Sequence, residues 1–113
     1  MIKSIASVAV VVSNGKKSSK WYEKMLGFEV RDKEGHWITV APKKSKQVLH
    51  LCESKTLEPG NTGIMVLADD IEAQYKEMKK KGVEFTQKLT KADWGSSAKF
   101  SDPDGNIFWL AEA

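Results

Sequence analysis

The chain has 113 residues, of which 41% are hydrophobic and 29% charged, and a formal net charge of +3. That length suits a single domain with its own core and is short for two ordinary domains, and the balance of apolar and charged residues excludes a disordered chain. No apolar run approaches a membrane span, and the lysines at 16, 17, 43, 44, 46 and 79–81 fall in short clusters without stacking aromatics or a recognition helix, so neither membrane nor nucleic acid is an expected partner.

The first predicted element is a strand in "SIASVAVVVS". It follows a single Lys3 and lacks an Ala-x-Ala cleavage pattern, so it reads as a strand and not a signal peptide. Alternation sets Val8, Val10 and Val12 on a face that packs against a helix, with Ser7, Ala9 and Val11 opposite. A helix follows, capped by Ser13 or Asn14, with Ser18, Trp21 or Tyr22 and Met25 on its buried stripe and Gly27 as its stop. After "GFEV" come "HWITVA", the polar connection "PKKSK" and "QVLHLCE", which read as strands.

Residues 54 to 62, "SKTLEPGNT", hold a Pro-Gly pair and no periodicity, as a link between modules would. The strand "GIMVLA" leads to a second helix, with Asp69 as its expected cap, Glu72 three residues on, and Ile71, Tyr75 and Met78 on one face. Lys79 to Lys81 suit the negative end of the helix dipole, and Gly82 is the expected left-handed C-cap. After "GVEF", residues 90–97, "TKADWGSS", read as a loop. "SAKFS", the turn "DPDG" and "NIFWLAE" complete the chain.

The two halves repeat one pattern, strand, helix, Gly, strand, with Gly27 of "GFEV" matching Gly82 of "GVEF". Each half is therefore β-α-β-β-β. The expected organisation is one domain spanning 1–113, with module one at 1–54, a linker at 55–62 and module two at 63–113. Laying "QVLHLCES" over "NIFWLAEA" makes His50 and Trp109 equivalent, and likewise Ser7 and Gly63. Trp37 and Thr39, with Ser97 and Lys99, share the face opposite the core residues Ile38, Val40, Ala98 and Phe100.

Three segments, "WYEKMLGFEV", "VLADDIEAQYKEMKKKGVEF" and above all "DWGSSAKFSDPDGNIFWLAE", resemble the vicinal oxygen chelate superfamily of glyoxalases, extradiol dioxygenases and bleomycin resistance proteins. The resemblance spans essentially the whole chain. It implies an α+β fold in which two tandem βαβββ modules form a curved mixed sheet around a concave cavity. It also implies a small-molecule ligand and a homodimer.

In metal-dependent members of that superfamily the matching positions carry His, Gln or Glu. Here they are Ser7, His50, Gly63 and Trp109. Only His50 is a good ligand, since the indole N–H of Trp109 offers no lone pair and glycine has no side chain. The resulting expectation is no metal site and no cofactor, with a small organic ligand, an aromatic one among the candidates, held by Ser7, Trp37, Thr39, His50, Met65, Trp94, Lys99 and Trp109. The basic chain, with Lys99 on that face, suits a neutral or anionic planar ligand better than a cation.

The alternative is a divergent metal-dependent lyase or dioxygenase with ligands rebuilt around His50 from Cys52 together with Glu53 or His36. A metal-free catalyst with His50 as general base is a further version of the enzyme reading, which ranks below binding. An interaction or regulatory module is the third class. The lone Cys52 cannot form an internal disulfide and fits a cytoplasmic location.

Overall fold

The computed structural model describes residues 1, 5–54 and 59–112; positions 55–58 of the expected linker lie outside the described residues. The chain divides into two compact units, 1–59 and 60–113. The first contains β1 (Ser7–Val11), α1 (Gly15–Leu26), β2 (Glu29–Glu34), β3 (Trp37–Ala41) and β4 (Val48–Cys52). The second contains β5 (Asn61–Ala68), α2 (Ile71–Lys80), β6 (Glu84–Ala92), β7 (Gly95–Ser101) and β8 (Ile107–Glu112). Both are βαβββ units, as the repeat implies.

Each unit forms its own four-stranded mixed sheet, ordered β1-β4-β3-β2 in the first and β5-β8-β7-β6 in the second. In both, the outer pair β1–β4 or β5–β8 is parallel and the remaining pairs are antiparallel. A parallel neighbour requires a crossover, and the helix between the first two strands supplies one. The register shifts between Val30 and Asp32 in β2 and between Phe85 and Gln87 in β6, and β6 shifts once more between Gln87 and Thr90. The first two shifts are the equivalent ones. These positions match when Gly27 is laid over Gly82, so the repeat extends to an irregularity of the backbone.

Asn14 caps α1: its backbone is extended and its side-chain oxygen accepts from the Lys17 N–H at 3.0 Å. Gly27 ends the helix at φ 70°, where its N–H reaches the Glu23 carbonyl at 3.1 Å. Ser18 and Tyr22 are buried as expected, and Ser19 joins them by donating its hydroxyl to the Lys16 carbonyl at 2.7 Å. Trp21 and Met25 are half-buried.

The cap of α2 is Asp70, not Asp69: its side chain accepts from Ala73 N–H at 3.1 Å. The helix begins at Ile71, and the residue immediately before it is the one placed to reach the N–H of the third helical residue. Glu72 then lies in the first turn, where its charge suits the dipole. At the other end Lys81 is the cap residue, in right-handed geometry, and Gly82 takes the positive φ one position later.

α1 packs across β2, β3 and β4, and α2 across all four strands of its sheet. Val10, Val12, Ile38, Val40, Leu51 and Tyr22 form the first core. Ile71, Met78, Ala98, Phe100, Phe108 and Leu110 form the second, with Phe100 and Phe108 stacked at 5.4 Å. Val8 departs from the expected valine face and is 38% exposed, because β1 is an edge strand and Val8 stands near its open end. The segment 90–97 is not a loop: β6 and β7 extend through it as a hairpin, and only Asp93 and Trp94 form the turn. Of the polar residues that suggest a loop there, Thr90 and Lys91 are exposed strand positions, Asp93 is in the turn, and Ser96 and Ser97 are half-buried and buried on β7.

The β7–β8 corner is built around Asp102, which is buried. One carboxylate oxygen accepts from Asp104 N–H at 2.9 Å and Asn106 N–H at 2.8 Å, and the other accepts from the Asn106 amide at 3.0 Å. Asn106 in turn accepts from Gly60 N–H at 3.2 Å, fixing the entry to β5. The "DPDGN" sequence is thus a side-chain-stapled turn. Among the described residues no helix is long and apolar enough to cross a membrane.

Candidate functional site

In each unit the helix covers one face of the sheet, and the residues with functional chemistry lie on the other. Strand register assigns them to two rows. In the first unit Ala9 is opposite His50, His50 opposite Thr39, and Thr39 opposite Asp32. In the second, Met65 is opposite Trp109, Trp109 opposite Lys99, and Lys99 opposite Gln87. Directly opposed residues share a face with Cβ atoms about 5 Å apart, so each row is a continuous stripe of side chains. The rows correspond position by position under the repeat.

In the first row the imidazole of His50 lies against Trp37, ring centroids 4.4 Å apart and planes tilted by 39°. Its Nε2 is 3.4 Å from the His36 carbonyl oxygen, at the long limit of a hydrogen bond. When the ring donates there, Nδ1 keeps its lone pair. Thr39 is fully buried and its hydroxyl donates to the Asp32 carboxylate at 2.6 Å. The Thr39 hydroxyl, expected among the ligand contacts, thus has its proton engaged by an exposed carboxylate from the neighbouring strand. Ser7, half-buried, opens β1 opposite Val48, two cross-strand pairs along from the Ala9–His50 pair of the row.

In the second row the Lys99 ammonium sits over the Trp109 ring, 4.3 Å from its centroid. Trp94, projecting from the two-residue turn, meets Trp109 edge-on at 6.4 Å. Register places Met65 beside Trp109. Met65, Trp94, Lys99 and Trp109 thus belong to one sheet, as Trp37, Thr39 and His50 belong to the other. Gly63 lies within β5.

The residues expected for a rebuilt metal site do not assemble. Glu53 is committed elsewhere, its Oε2 accepting from Gly15 N–H at the start of α1 at 2.8 Å. His36 is an exposed turn residue, and among the described residues no three His, Cys, Asp or Glu side chains come together as a metal ion requires.

Three members of the rows, Ala9, Asp32 and Gln87, are absent from the expected set. Asp32 and Gln87 both stand just past a bulge, where one extra residue breaks the alternation from which a face is read. The matched repeat around Gly27 and Gly82 is the signal that pairs them. Leu67 shares the face of β5 that carries Met65, as alternation requires, and also lies outside the expected set.

A family model described as Glyoxalase/Bleomycin resistance protein/Dioxygenase superfamily matches residues 4–110. YetH of Bacillus subtilis (strain 168) is 33% identical, over 99% of this chain and 100% of that protein. Among crystal structures, a member of the same superfamily from Sphaerobacter thermophilus superposes with a TM-score of 0.90 at 32% identity, covering 99% of this chain and 98% of that one. TnmS3, an antibiotic binding protein from Streptomyces sp. CB03234, has a TM-score of 0.88 at 32% identity, covering 98% of this chain and 96% of its own. With two βαβββ units and a family match over nearly its whole length, this chain belongs to the Glyoxalase/Bleomycin resistance protein/Dioxygenase superfamily.

Proposed function

We propose that this protein binds a small aromatic organic molecule on the helix-free sheet faces and carries out no metal chemistry at the superfamily's ligand positions. The observation that carries the reading is the exposure of large apolar side chains on those faces: Trp37 46%, Met65 47%, Leu67 64% and Trp94 62%. A folded domain gains nothing from wetting such side chains, and several of them exposed on one unit, as Met65, Leu67 and Trp94 are, favour a ligand that covers them. The likeness to TnmS3, an antibiotic binding protein, supports the same reading.

The residues at the metal positions do not fit a divalent ion. His50 contributes a single imidazole nitrogen, Ser7 a weakly ligating hydroxyl, Gly63 no side chain and Trp109 no lone pair. The Lys99 ammonium over Trp109 adds a positive charge where a cation would need a donor. The proposed contacts are Ser7, Trp37 and His50 on the face of the first unit and Met65, Trp94, Lys99 and Trp109 on that of the second; Thr39, its hydroxyl engaged by Asp32, is left out. A cytoplasmic homodimer is the proposed setting; the lone Cys52 supports the compartment, and sedimentation tests the pairing.

Two measurements test the proposal. Purified protein is expected to carry no stoichiometric transition metal; an equivalent that is lost on His50→Ala overturns the metal-free reading. Titration with a panel of aromatic compounds is expected to change tryptophan emission. If Trp109→Ala and Trp37→Ala leave every response as it was, these faces are not the binding site.

A further inference from the structure

We infer that the Trp94–Trp109–Lys99 patch of the second unit selects planar aromatic anions, such as aryl carboxylates and phenolates, because Lys99 guards the Trp109 ring. The inference rests on the proposed ligand binding and names the chemical class that this face takes.

The geometry is specific. Lys99 and Trp109 are directly opposed on β7 and β8, and the ammonium lies 4.3 Å from the ring centroid. That is a close cation–π contact. Lys99 is the only charged member of its row, whose other residues are Met65, Trp109 and Gln87. Among the described residues its ammonium is paired with no carboxylate. Lys81 by contrast is bridged to Glu77 at 3.1 Å. The charge beside the indole is therefore uncompensated except by the ring itself.

A flat ligand that stacks on this face of Trp109, with the Trp94 edge beside it, must push the ammonium aside. Lysine has the reach to move, since its head is carried on a flexible four-carbon stem. The cost of moving it depends on the ligand's charge. A neutral aromatic displaces the cation–π contact and returns at most an uncharged acceptor to the ammonium. A cationic aromatic loses that contact and meets a like charge. An anionic aromatic exchanges the contact for a charge-assisted hydrogen bond from Lys99 at the ligand's rim. Lys99 thus acts as a gate that aryl anions open at least cost, and Gln87, next in the row, places an amide beside the same rim.

The test uses the whole chain and three probes on one ring system, naphthalene-2-carboxylate, naphthalene-2-carboxamide and 2-naphthylmethylammonium, titrated by tryptophan fluorescence at low salt. The carboxylate is expected to bind about tenfold more tightly than the ammonium probe, and raising the salt is expected to shrink the gap. In Lys99→Met the preference is expected to vanish, while the carboxamide binds about two- to fivefold more tightly once no ammonium has to be displaced. Lys99→Arg is expected to keep the preference. Equal binding of all three probes to the unaltered protein, or a preference that survives Lys99→Met, overturns the selection by Lys99 and leaves the binding reading intact. Absence of binding by all three, with tryptophan emission unmoved, overturns both.

Discussion

Glu53 and Glu112 occupy the same position in the two units, each just past or at the end of its last strand, and each clamps the first residue of its helix. Glu53 Oε2 accepts from Gly15 N–H at 2.8 Å, and Glu112 Oε2 accepts from Ile71 N–H at 2.7 Å. A carboxylate at a helix N-terminus satisfies an orphan donor and meets the positive end of the dipole. Each helix is tied to its sheet here by a side chain whose role no local sequence pattern announces. Glu53→Ala and Glu112→Ala are each expected to lower stability by about 1 kcal/mol. Urea denaturation should show the two losses adding, because the hydrogen bonds share no partner.

Gly15 is the first residue of α1 and is buried. A Cβ there would stand 3.0 Å from Ile38 Cδ1 and 3.2 Å from Glu53 Oε2, so it crowds a core side chain and the clamp together. Alanine has the better helix propensity by about 1 kcal/mol in a helix interior, and an exposed site would gain from the exchange. Here Gly15→Ala is expected to destabilise by about 1 kcal/mol instead. The thermal midpoint decides the sign.

Asp102 holds three donors in a buried corner. Asp102→Ala leaves them without that acceptor and is expected to cost about 3 kcal/mol. Asp102→Asn keeps one acceptor oxygen but turns an amide N–H2 toward the amide of Asn106, which cannot turn over without releasing Gly60 N–H. It is expected to cost about 2 kcal/mol, measured as the shift in denaturation midpoint at unchanged slope.

Thr39→Val replaces the buried hydroxyl with a methyl of similar volume. The Asp32 carboxylate it leaves is exposed and can turn to water, so the expected loss is about 1 kcal/mol. Affinity for an aromatic probe at Trp37 should be unchanged within about twofold, because the hydroxyl is engaged with Asp32. A loss beyond that would mean the hydroxyl turns away from Asp32 to the ligand.

Much of this fold is legible in the residues. The periods of the two helices, the glycines that end them and the alternation of "NIFWLAE" all express local geometry, and the folded chain keeps them. So does the opposition of Trp109 to Phe108 and Leu110, with Phe108 and Leu110 buried and Trp109 only partly so. The cap of α2 and the hairpin through 90–97 depart from expectation for a shared reason. Both turn on where an element begins, and polar residues suit caps, turns and exposed strands alike.

What the sequence by itself determined is the βαβββ repeat and, where no bulge intervenes, the face to which a strand residue points, because periodicity is a property of neighbouring residues along one chain. Only the tertiary structure decided which side chains meet across strands. Register brought Lys99 over Trp109 and Asp32 to Thr39, and a long reach brought Glu53 to Gly15 and Glu112 to Ile71. The bulges in β2 and β6 made the difference sharpest, since one inserted residue reverses the alternation beyond it and only hydrogen-bond pairing shows where it was inserted.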